Sequence, residues 1–235
     1  MIKIKQRYEE HWHNRFLSKE SVQHEKLLPN EISESVNQIL KKGKQLLDIG
    51  CGRGSFMGST EARFDLIHGC DISEIAAREA KRKGMITICA DLNNGNLPYQ
   101  DNSFDSIICL EVIEHLLDPL NLLKDIYRVL QSNGQLILTT PNIRYIKNLI
   151  KLIFIGHFPH TSTDTFIWGG GHLHYFTRKD LALLFQRTGF KKMKFHINEQ
   201  QFCRSYKRRF VHRIIGDHMF GELFCGGIIV EAFKE

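Results

Sequence analysis

The sequence lacks a paired cysteine motif, and no secretory leader is expected in it. Its six cysteines include no Cys-x-x-Cys pair, and residues 1–20 carry charges throughout with no apolar core between them, unlike a signal peptide. The thiols are therefore expected to stay reduced, and we expect a cytoplasmic protein. Long apolar runs are lacking as well. The longest, Leu149–Ile155, is interrupted by Lys151 and is far shorter than the ~20 residues that a membrane-spanning helix needs, so no membrane span is expected.

Extremes of composition are absent too. Apolar residues make up 42% of the 235-residue chain and charged residues 25%, which is close to the globular average and excludes a disordered or fibrous chain. The net charge of +6 is concentrated locally, since residues 191–213 hold eight Lys or Arg and one acid, Glu199. This basic segment predicts either a solvated cationic helix or a site for the phosphates of a nucleotide sugar, a nucleic acid or a membrane surface. Its central cations are Arg204, Lys207, Arg208, Arg209 and Arg213.

Short β-type runs alternate with helical stretches between residues 44 and 140, as in a parallel sheet built from βα units. Apolar spacing and end signals predict helices over Ser73–Lys83, Pro119–Leu130 and Arg178–Thr188. The second of these helices is expected to stop before a turn at residues 132–134. The predicted strands are Gln45–Ile49, Leu66–Cys70, Ile86–Ala90, Ser106–Leu110, Gln135–Thr139, Lys192–Ile197 and Gly227–Phe233.

Additions to this core are expected at both ends and in the middle. We predict that a helical segment at residues 1–43 covers the functional site and that the domain itself occupies residues 44–235. An insert at residues 141–176 is expected on the substrate side. Its apolar stretch at residues 148–156 predicts either a cover for a substrate pocket or the packed core of an extra helix.

The first strand runs directly into a glycine-rich turn, Asp48-Ile-Gly50-Cys51-Gly52-Arg-Gly54. Glycine in such a turn allows a positive φ and a close approach of the backbone to a ligand. The spacing differs from the Gly-x-Gly-x-x-Gly of nicotinamide-dependent enzymes, and we expect no second catalytic domain. A nicotinamide oxidoreductase is therefore not favoured.

Acidic residues end the first three strands of the predicted sheet. Asp48 precedes the glycine turn, Asp71 follows the second strand and Asp91 follows the third. A carboxylate at the end of the second strand can accept hydrogen bonds from both hydroxyls of a ribose. Three acids at neighbouring strand ends would repel the negative charge of a pyrophosphate. The pattern favours a ligand that has an adenosine and a cationic centre but no pyrophosphate.

These motifs resemble the class I S-adenosylmethionine-dependent methyltransferases over about residues 40–233. The resemblance implies a Rossmann-like α/β fold, with a seven-stranded mixed sheet and helices on both faces, and S-adenosylmethionine as the cofactor, leaving as S-adenosylhomocysteine. It also implies that Asp71 holds the ribose hydroxyls and that Asp91 lies at the adenine. The cofactor-binding residues that it implies are Asp48, Gly50, Cys51, Gly52, Gly54, Asp71, Ile72, Asp91, Leu92, Leu110 and Glu111.

Three segments are similar to one branch of that family, which includes the methionine-biosynthesis MetW group and the ubiquinone O-methyltransferases. They are Glu111–Leu116, Thr140–Asn142 and Gly171–Thr177. The resemblance implies transfer of a methyl group to a small-molecule acceptor, and we favour an oxygen of a sugar, a glycan intermediate or a quinone-like compound. Two alternatives stay open: an RNA methyltransferase, which the basic segment favours, and a partner protein that holds the cofactor without catalysis.

A hydroxyl acceptor needs a base to remove its proton, and His115, His172 and His174 are the candidates because imidazole titrates near ~6.5. Helical spacing would also put Glu111, Glu114 and His115 on one face, as ligands of a divalent ion. The ubiquinone and small-RNA 3′-end methyltransferases, which resemble this segment, use such a Glu-x-x-Glu-His set with Mg²⁺-type ions. The same pattern is widespread in the family without a metal, so we favour a site without one. His172 or His174 would be the fourth ligand of any ion that did bind.

Overall fold

The computed structural model describes residues 5–10, 13, 30–93, 96–159, 171–197, 216, 219 and 221–235. Its strands are β1 (Gly43–Ile49), β2 (Phe64–Asp71), β3 (Ile86–Cys89), β4 (Phe104–Leu110), β5 (Leu130–Pro141), β6 (Lys192–His196) and β7 (Gly227–Phe233). They form one sheet in the order β3-β2-β1-β4-β5-β7-β6. The first five strands run parallel, whereas β7 runs antiparallel to both β5 and β6. The predicted seven-stranded mixed sheet is confirmed.

Helices cover both faces of the sheet, as predicted. The covering helices are α1 (Asn30–Ile39), α2 (Glu74–Arg82), α3 (Pro119–Val129) and α5 (Arg178–Arg187), whereas α4 (Ile146–Ile150), which continues as a π-helix over Lys151–Ile155, buries no residue. Successive strand residues point to opposite faces. In β1, Leu46 packs in one core cluster with side chains of α1 and α2, and Leu47 packs in another with side chains of α3 and α5. Burial on both faces explains why the strands read as apolar runs.

The turn predicted at residues 132–134 lies inside β5, which begins directly after α3. Asn133 has a φ of 62°, and the pairing of β4 with β5 shifts its register near this point. The N–H of Asn133 donates to the carbonyl of Lys234 at 2.8 Å, and the N–H of Lys234 donates to the carbonyl of Gly134 at 3.2 Å. The helix therefore stops where the sequence predicts, and the predicted turn lies as an irregularity within β5, where the pairing with β4 passes from Leu130 directly to Gln135.

Several predicted features lie outside the described residues. They include the five central cations of the basic segment, residues 160–170 of the insert and most of residues 1–29. Within the segment 1–43, α1 packs on the sheet with Ile32 and Val36 buried, so residues 30–39 belong to the domain core. Within the described ranges, every helix is too short or too polar to span a bilayer.

Candidate active site

The carboxyl ends of β1 and β4 meet where the order of the parallel strands reverses. Such a switch point leaves a crevice for a ligand. The glycine turn follows β1 at this point, and Gly50, Gly52 and Gly54 have left-handed φ values of 71°, 51° and 69°. A Cβ atom at Gly50 would overlap Cγ2 of Val112, which follows β4. Glycine therefore lets the turn after β1 approach the loop after β4.

Asp71 ties the glycine turn to the start of α2. Its Oδ2 accepts a hydrogen bond from Gly52 N, and its Oδ1 accepts one from Ser73 N, both at 2.9 Å. Burial raises the pKa of Asp71 to about 6, although these N–H groups lower it, and the charge of Glu9 adds to the rise. Because a carboxylate oxygen can accept more than one hydrogen bond, Asp71 keeps acceptor capacity for a ligand.

Asp48 lies behind the glycine turn, in β1, and is almost fully buried. Burial and the neighbouring Asp71 raise the pKa of Asp48 to about 8, which favours the protonated form of this group at neutral pH. A cationic ligand would favour the ionised form. Asp91, after β3, is only partly buried and accepts a hydrogen bond from Asn93 N at 3.0 Å.

The other predicted cofactor residues lie along the same edge of the sheet. Cys51 is buried in the glycine turn and Ile72 is partly buried directly after β2. Leu92 packs against the core after β3, and Leu110 is buried at the end of β4. The fold thus places the predicted residues along the carboxyl ends of the parallel strands, and their binding of a cofactor stays a prediction.

Glu111 does not lie on the helical turn that its spacing predicts. It follows β4 with a φ of 56°, and the 3₁₀ helix that comes next covers only Ile113–His115. Its N–H donates to the carbonyl of Thr139 in β5 at 3.1 Å. Burial raises the pKa of Glu111 to about 7, although a hydrogen bond with Thr139 lowers it. The prediction that Glu111, Glu114 and His115 share one helical face is wrong, because the hydrogen bond to Thr139 holds Glu111 at the end of β4, before the 3₁₀ helix begins.

A buried carboxylate and two imidazoles come together beside this strand end. Glu114, His115 and His172 each offer one ligand atom, and these atoms lie within 4.8 Å of one another. His172 Nε2 is 4.0 Å from Glu114 Oε1, a buried oxygen that accepts no hydrogen bond from the described residues. Glu114 Oε2 accepts from Thr140 Oγ1 at 3.0 Å. Burial and the charge of Glu111 raise the pKa of Glu114 well above its usual value.

Backbone hydrogen bonds join the loop at residues 171–177 to this group. The carbonyl of Glu114 accepts from the N–H groups of Leu173 and His174 at 2.8 and 3.0 Å. His115 Nδ1 lies 3.2 Å from the carbonyl oxygen of Gly171. The segment after β4 and the loop after the insert, more than fifty residues apart in sequence, thereby form one wall of the crevice.

The three predicted histidines differ in their surroundings. Burial and the nearby His115 lower the pKa of His172 to about 4, so its imidazole is neutral near pH 7. The rings of His115 and His172 meet edge-on with centroids 4.6 Å apart. His174 is not part of the group of ligand atoms found among the described residues, and its ring stacks on Phe176 with centroids 5.8 Å apart. The structure therefore places His115 and His172 in contact and leaves His174 outside their group.

Residues 5–10 are helical and contact both sides of the crevice. Glu9 Oε2 accepts from Ser73 Oγ at 2.8 Å, and Glu9 Oε1 accepts from Glu74 N at 2.6 Å. The ring of Tyr8 lies edge-on to His115 with centroids 6.3 Å apart. Sequence analysis misses both contacts because their partners are more than sixty residues away, and no local pattern in residues 5–10 indicates them.

The buried acids predict that the ligand-free protein loses stability as the pH rises from about 6.5 to 8. Asp48 and Glu111, with pKa values of about 8 and 7, still bind protons in this window that the unfolded chain has released. The free energy of unfolding should therefore fall, by an amount on the order of 2 kcal/mol. His172 acts in the opposite direction only below about 6.5, where the unfolded chain binds the additional proton.

Thermal unfolding at pH 6.5, 7.2 and 8 in the absence of ligand measures this slope. Asp48→Asn should flatten it, whereas Asp65→Asn, an exposed position in β2, should leave it unchanged. A melting temperature that is constant or rises across the window would contradict the assignment.

Comparisons with known proteins concern the family and the fold of the chain. The profile of a methyltransferase domain family matches residues 22–194. An uncharacterised protein of Methanocaldococcus jannaschii is 36% identical over 116 residues, which cover 47% of this chain and 49% of that protein. A ubiquinone biosynthesis O-methyltransferase of Coxiella burnetii is 29% identical over 126 residues, which cover 49% of this chain and 51% of that protein. The chain spans about half the length of these curated relatives.

A solved structure shares the architecture over most of the chain. The S-adenosylmethionine-dependent methyltransferase from Archaeoglobus fulgidus superposes with a TM-score of 0.61 at 20% identity, covering 87% of this chain and 94% of that chain. At this identity the likeness concerns the fold. The profile match covers well over half of the chain and includes every residue of the crevice described above apart from those at residues 5–10.

Proposed function

The chain belongs to the family of S-adenosylmethionine-dependent methyltransferases, and from this premise we propose that it transfers the methyl group of S-adenosylmethionine to an oxygen of a small-molecule acceptor. One observation carries the proposal: the crevice has the glycine turn and buried Asp71 on one side, and Glu114 with a neutral His172 on the other. We favour a sugar, a glycan intermediate or a quinone-like acceptor, and the Coxiella burnetii relative supports an oxygen acceptor by its name. The free thiols of the described cysteines support a cytoplasmic setting.

The cofactor side of the proposal rests on two carboxylates. S-adenosylmethionine supplies an electrophilic methyl carbon on a sulfonium when it is bound. Asp71 would accept the ribose hydroxyls at the positions that Gly52 and Ser73 leave available. Asp48 would lose its proton and balance the positive charge of the ligand above the turn. Holding the donor in line with the acceptor then supplies most of the rate gain.

His172 is the proton acceptor in this proposal. Its imidazole is neutral near pH 7 and can take the proton of an acceptor hydroxyl as the methyl group is transferred. Because burial and the charge of Glu111 raise the pKa of Glu114, Glu114 would have to release its own proton before Oε1, 4.0 Å from His172 Nε2, accepts a hydrogen bond from the imidazolium. In this proposal Asp71 would hold the cofactor, and ionised Glu114 would stabilise the imidazolium of His172.

A divalent ion would be held by Glu114, His115 and His172. These residues fit such an ion, because Glu114 Oε1 is buried without a hydrogen bond from the described residues and a neutral imidazole is the form that binds metals. The ion would polarise an acceptor oxygen, and His172 would then be a ligand and not a base. We favour the base because the site needs no ion for the proton transfer described above.

The first test is thermal unfolding with S-adenosylhomocysteine, with NADH or with neither. A ligand at about 100 times its dissociation constant stabilises by about 2.7 kcal/mol, and we expect that shift with S-adenosylhomocysteine alone. Methyl transfer is then measured by mass spectrometry on sugars, catechols and RNA. His172→Asn should lower turnover by about 10²–10⁴-fold and keep the thermal shift, whereas His174→Asn should change neither.

Each of the other outcomes would indicate a different function for the chain. A shift with NADH alone would contradict cofactor binding at the glycine turn. A normal shift with no transfer to any acceptor would favour a non-catalytic partner, and transfer to RNA alone would replace the small-molecule acceptor. Transfer that EDTA abolishes and Mn²⁺ restores would make His172 a metal ligand.

Glu9 is proposed to hold the N-terminal segment over the cofactor. Glu9→Ala removes the acceptor for Ser73 Oγ and Glu74 N, so we expect a loss of about 1 kcal/mol of stability, as for a helix cap. S-adenosylhomocysteine binding, measured by calorimetry, should weaken by about tenfold because residues 5–10 then leave the crevice more often. Glu10→Ala is the matched control, since Glu10 accepts only a long 3.4 Å bond from Gln6 among the hydrogen bonds seen here. If Glu9→Ala and the parent protein bind S-adenosylhomocysteine with equal affinity, residues 5–10 do not cover the cofactor.

A further inference from the structure

Residues 146–158 form a contiguous apolar surface on the outside of the domain. Among the described residues twelve large apolar side chains are exposed, and half of them lie between residues 150 and 158. Phe154 is 79% exposed, Ile153 68% and Ile155 63%, and neither α4 nor its π-helical continuation buries any residue. Single exposed apolar residues are ordinary, but a contiguous patch of this kind marks an interaction site. We call residues 146–158 the apolar surface.

Positive charge accompanies this surface and negative charge is lacking. Residues 141–163 contain no Asp or Glu. Lys147 and Lys151 are exposed and four residues apart in the helix, so they share one side of it. Arg144 is engaged by an ion pair with Glu222 and contributes less. The apolar surface thus presents two accessible ammonium groups beside branched and aromatic side chains.

This combination fits the interface of an anionic lipid bilayer. Lysine stems can lie along apolar surface while their ammonium groups reach the headgroups, and the aliphatic and aromatic side chains enter the acyl boundary. Residues 146–155 extend only about 15 Å as a helix, half the ~30 Å thickness of the hydrocarbon core, so the segment would lie in the interface. A second copy using the same patch would bring Lys147 and Lys151 against the same lysines.

The apolar surface is joined to the candidate active site. It follows β5, whose Thr140 donates to Glu114. The ring of Phe158 meets that of Tyr175 edge-on at 4.8 Å, and the rings of Tyr175 and His172 have centroids 6.4 Å apart. A bilayer on this surface would therefore lie on the side of the molecule from which the loop at residues 171–177 is reached.

We propose that the apolar surface docks the protein peripherally on an anionic lipid bilayer. The docking requires only the side chains of residues 146–158 and goes beyond the proposed methyl transfer. Its physical basis is burial of the exposed apolar groups together with attraction of the two lysines to anionic headgroups.

Co-sedimentation of the full chain with vesicles tests the proposal. Vesicles of phosphatidylcholine alone are compared with vesicles of equal parts phosphatidylcholine and phosphatidylglycerol. We expect binding to the anionic vesicles to be about tenfold tighter or more, and the double variant Ile153→Ser/Phe154→Ser to lose about tenfold or more of it. Lys147→Glu/Lys151→Glu should remove the preference for anionic vesicles. Leu183→Ser and Lys81→Glu, exposed positions on α5 and α2, are the matched controls and should bind as the parent does.

Two results would contradict docking on a bilayer. All substituted positions are exposed, and unchanged melting temperatures verify that the variants fold. Absence of binding to either vesicle by the parent protein would overturn the proposal. Sedimentation equilibrium supplies the other alternative: a dimer that Ile153→Ser/Phe154→Ser dissociates, without vesicle binding, would make the apolar surface an interface between two copies of the chain.

Discussion

Replacing Asp71 by alanine is expected to weaken the binding of S-adenosylhomocysteine by about 100-fold or more. The change removes the carboxylate that accepts from Gly52 N and Ser73 N, so the glycine turn and the start of α2 lose their common anchor. It also removes the acceptor proposed for the ribose. Hydrogen bonds to a charged group contribute about 1.5–3 kcal/mol each, and every 1.4 kcal/mol is tenfold in affinity. Titration calorimetry with S-adenosylhomocysteine measures the effect.

Controls separate the ligand contact from the structural one. Asp65→Ala alters an exposed acid in the same strand and should leave affinity unchanged. Asp71→Asn keeps one acceptor oxygen but cannot accept from both N–H groups, so its affinity should lie between those of the parent and Asp71→Ala. If Asp71→Ala folds and binds S-adenosylhomocysteine as tightly as the parent, the crevice beside the glycine turn is not the cofactor site.

The positions of the strands could be predicted from the sequence because each is a short β-type run between strong end signals. The central strands β1, β4, β5 and β7 are largely buried, whereas the edge strands β3 and β6 are not. Ile86–Cys89 and Gly227–Phe233 begin where the pattern predicts, and the mixed sheet, in which β7 is antiparallel to β5 and β6, agrees with what the family resemblance implies. Glu111 was harder to place. A spacing of three and four residues fits a short loop as well as it fits a helix. The hydrogen bond that decides between them runs from Glu111 N to Thr139, which lies in a strand nearly thirty residues later.

The candidate site shows the same division between local and distant information. The three glycines and Asp71 were recognisable because the turn and the strand end are local patterns. The pairing of Glu114 with His172 depends on how the chain returns after the insert, and no spacing encodes it. Glu9 is the extreme case: a charged residue in a polar helix near the amino terminus has no local feature that distinguishes it from Glu10. Contacts that only the fold creates therefore require the structure.

Gly50→Ala is expected to lower the free energy of unfolding by about 2–5 kcal/mol. Two costs add at this position. The left-handed φ of 71° costs a residue with a Cβ about 1–2 kcal/mol, and the overlap of that Cβ with Val112 Cγ2 costs about 1–3 kcal/mol, as overpacking usually does. Urea unfolding followed by circular dichroism, without ligand, measures the sum.

Substitutions at other glycines separate the two costs. Gly156 has a φ of 72°, and a Cβ there meets no described atom within 4 Å, so Gly156→Ala should show the backbone cost alone. Gly58 has neither feature, and Gly58→Ala should change stability by no more than about 0.5 kcal/mol. In a double-mutant cycle, Val112→Ala should be less damaging in the Gly50→Ala background than in the parent, because it removes the overlapping methyl group. If Gly50→Ala instead costs no more than Gly156→Ala, the turn after β1 does not press against the loop after β4, and glycine at this position serves the ligand alone.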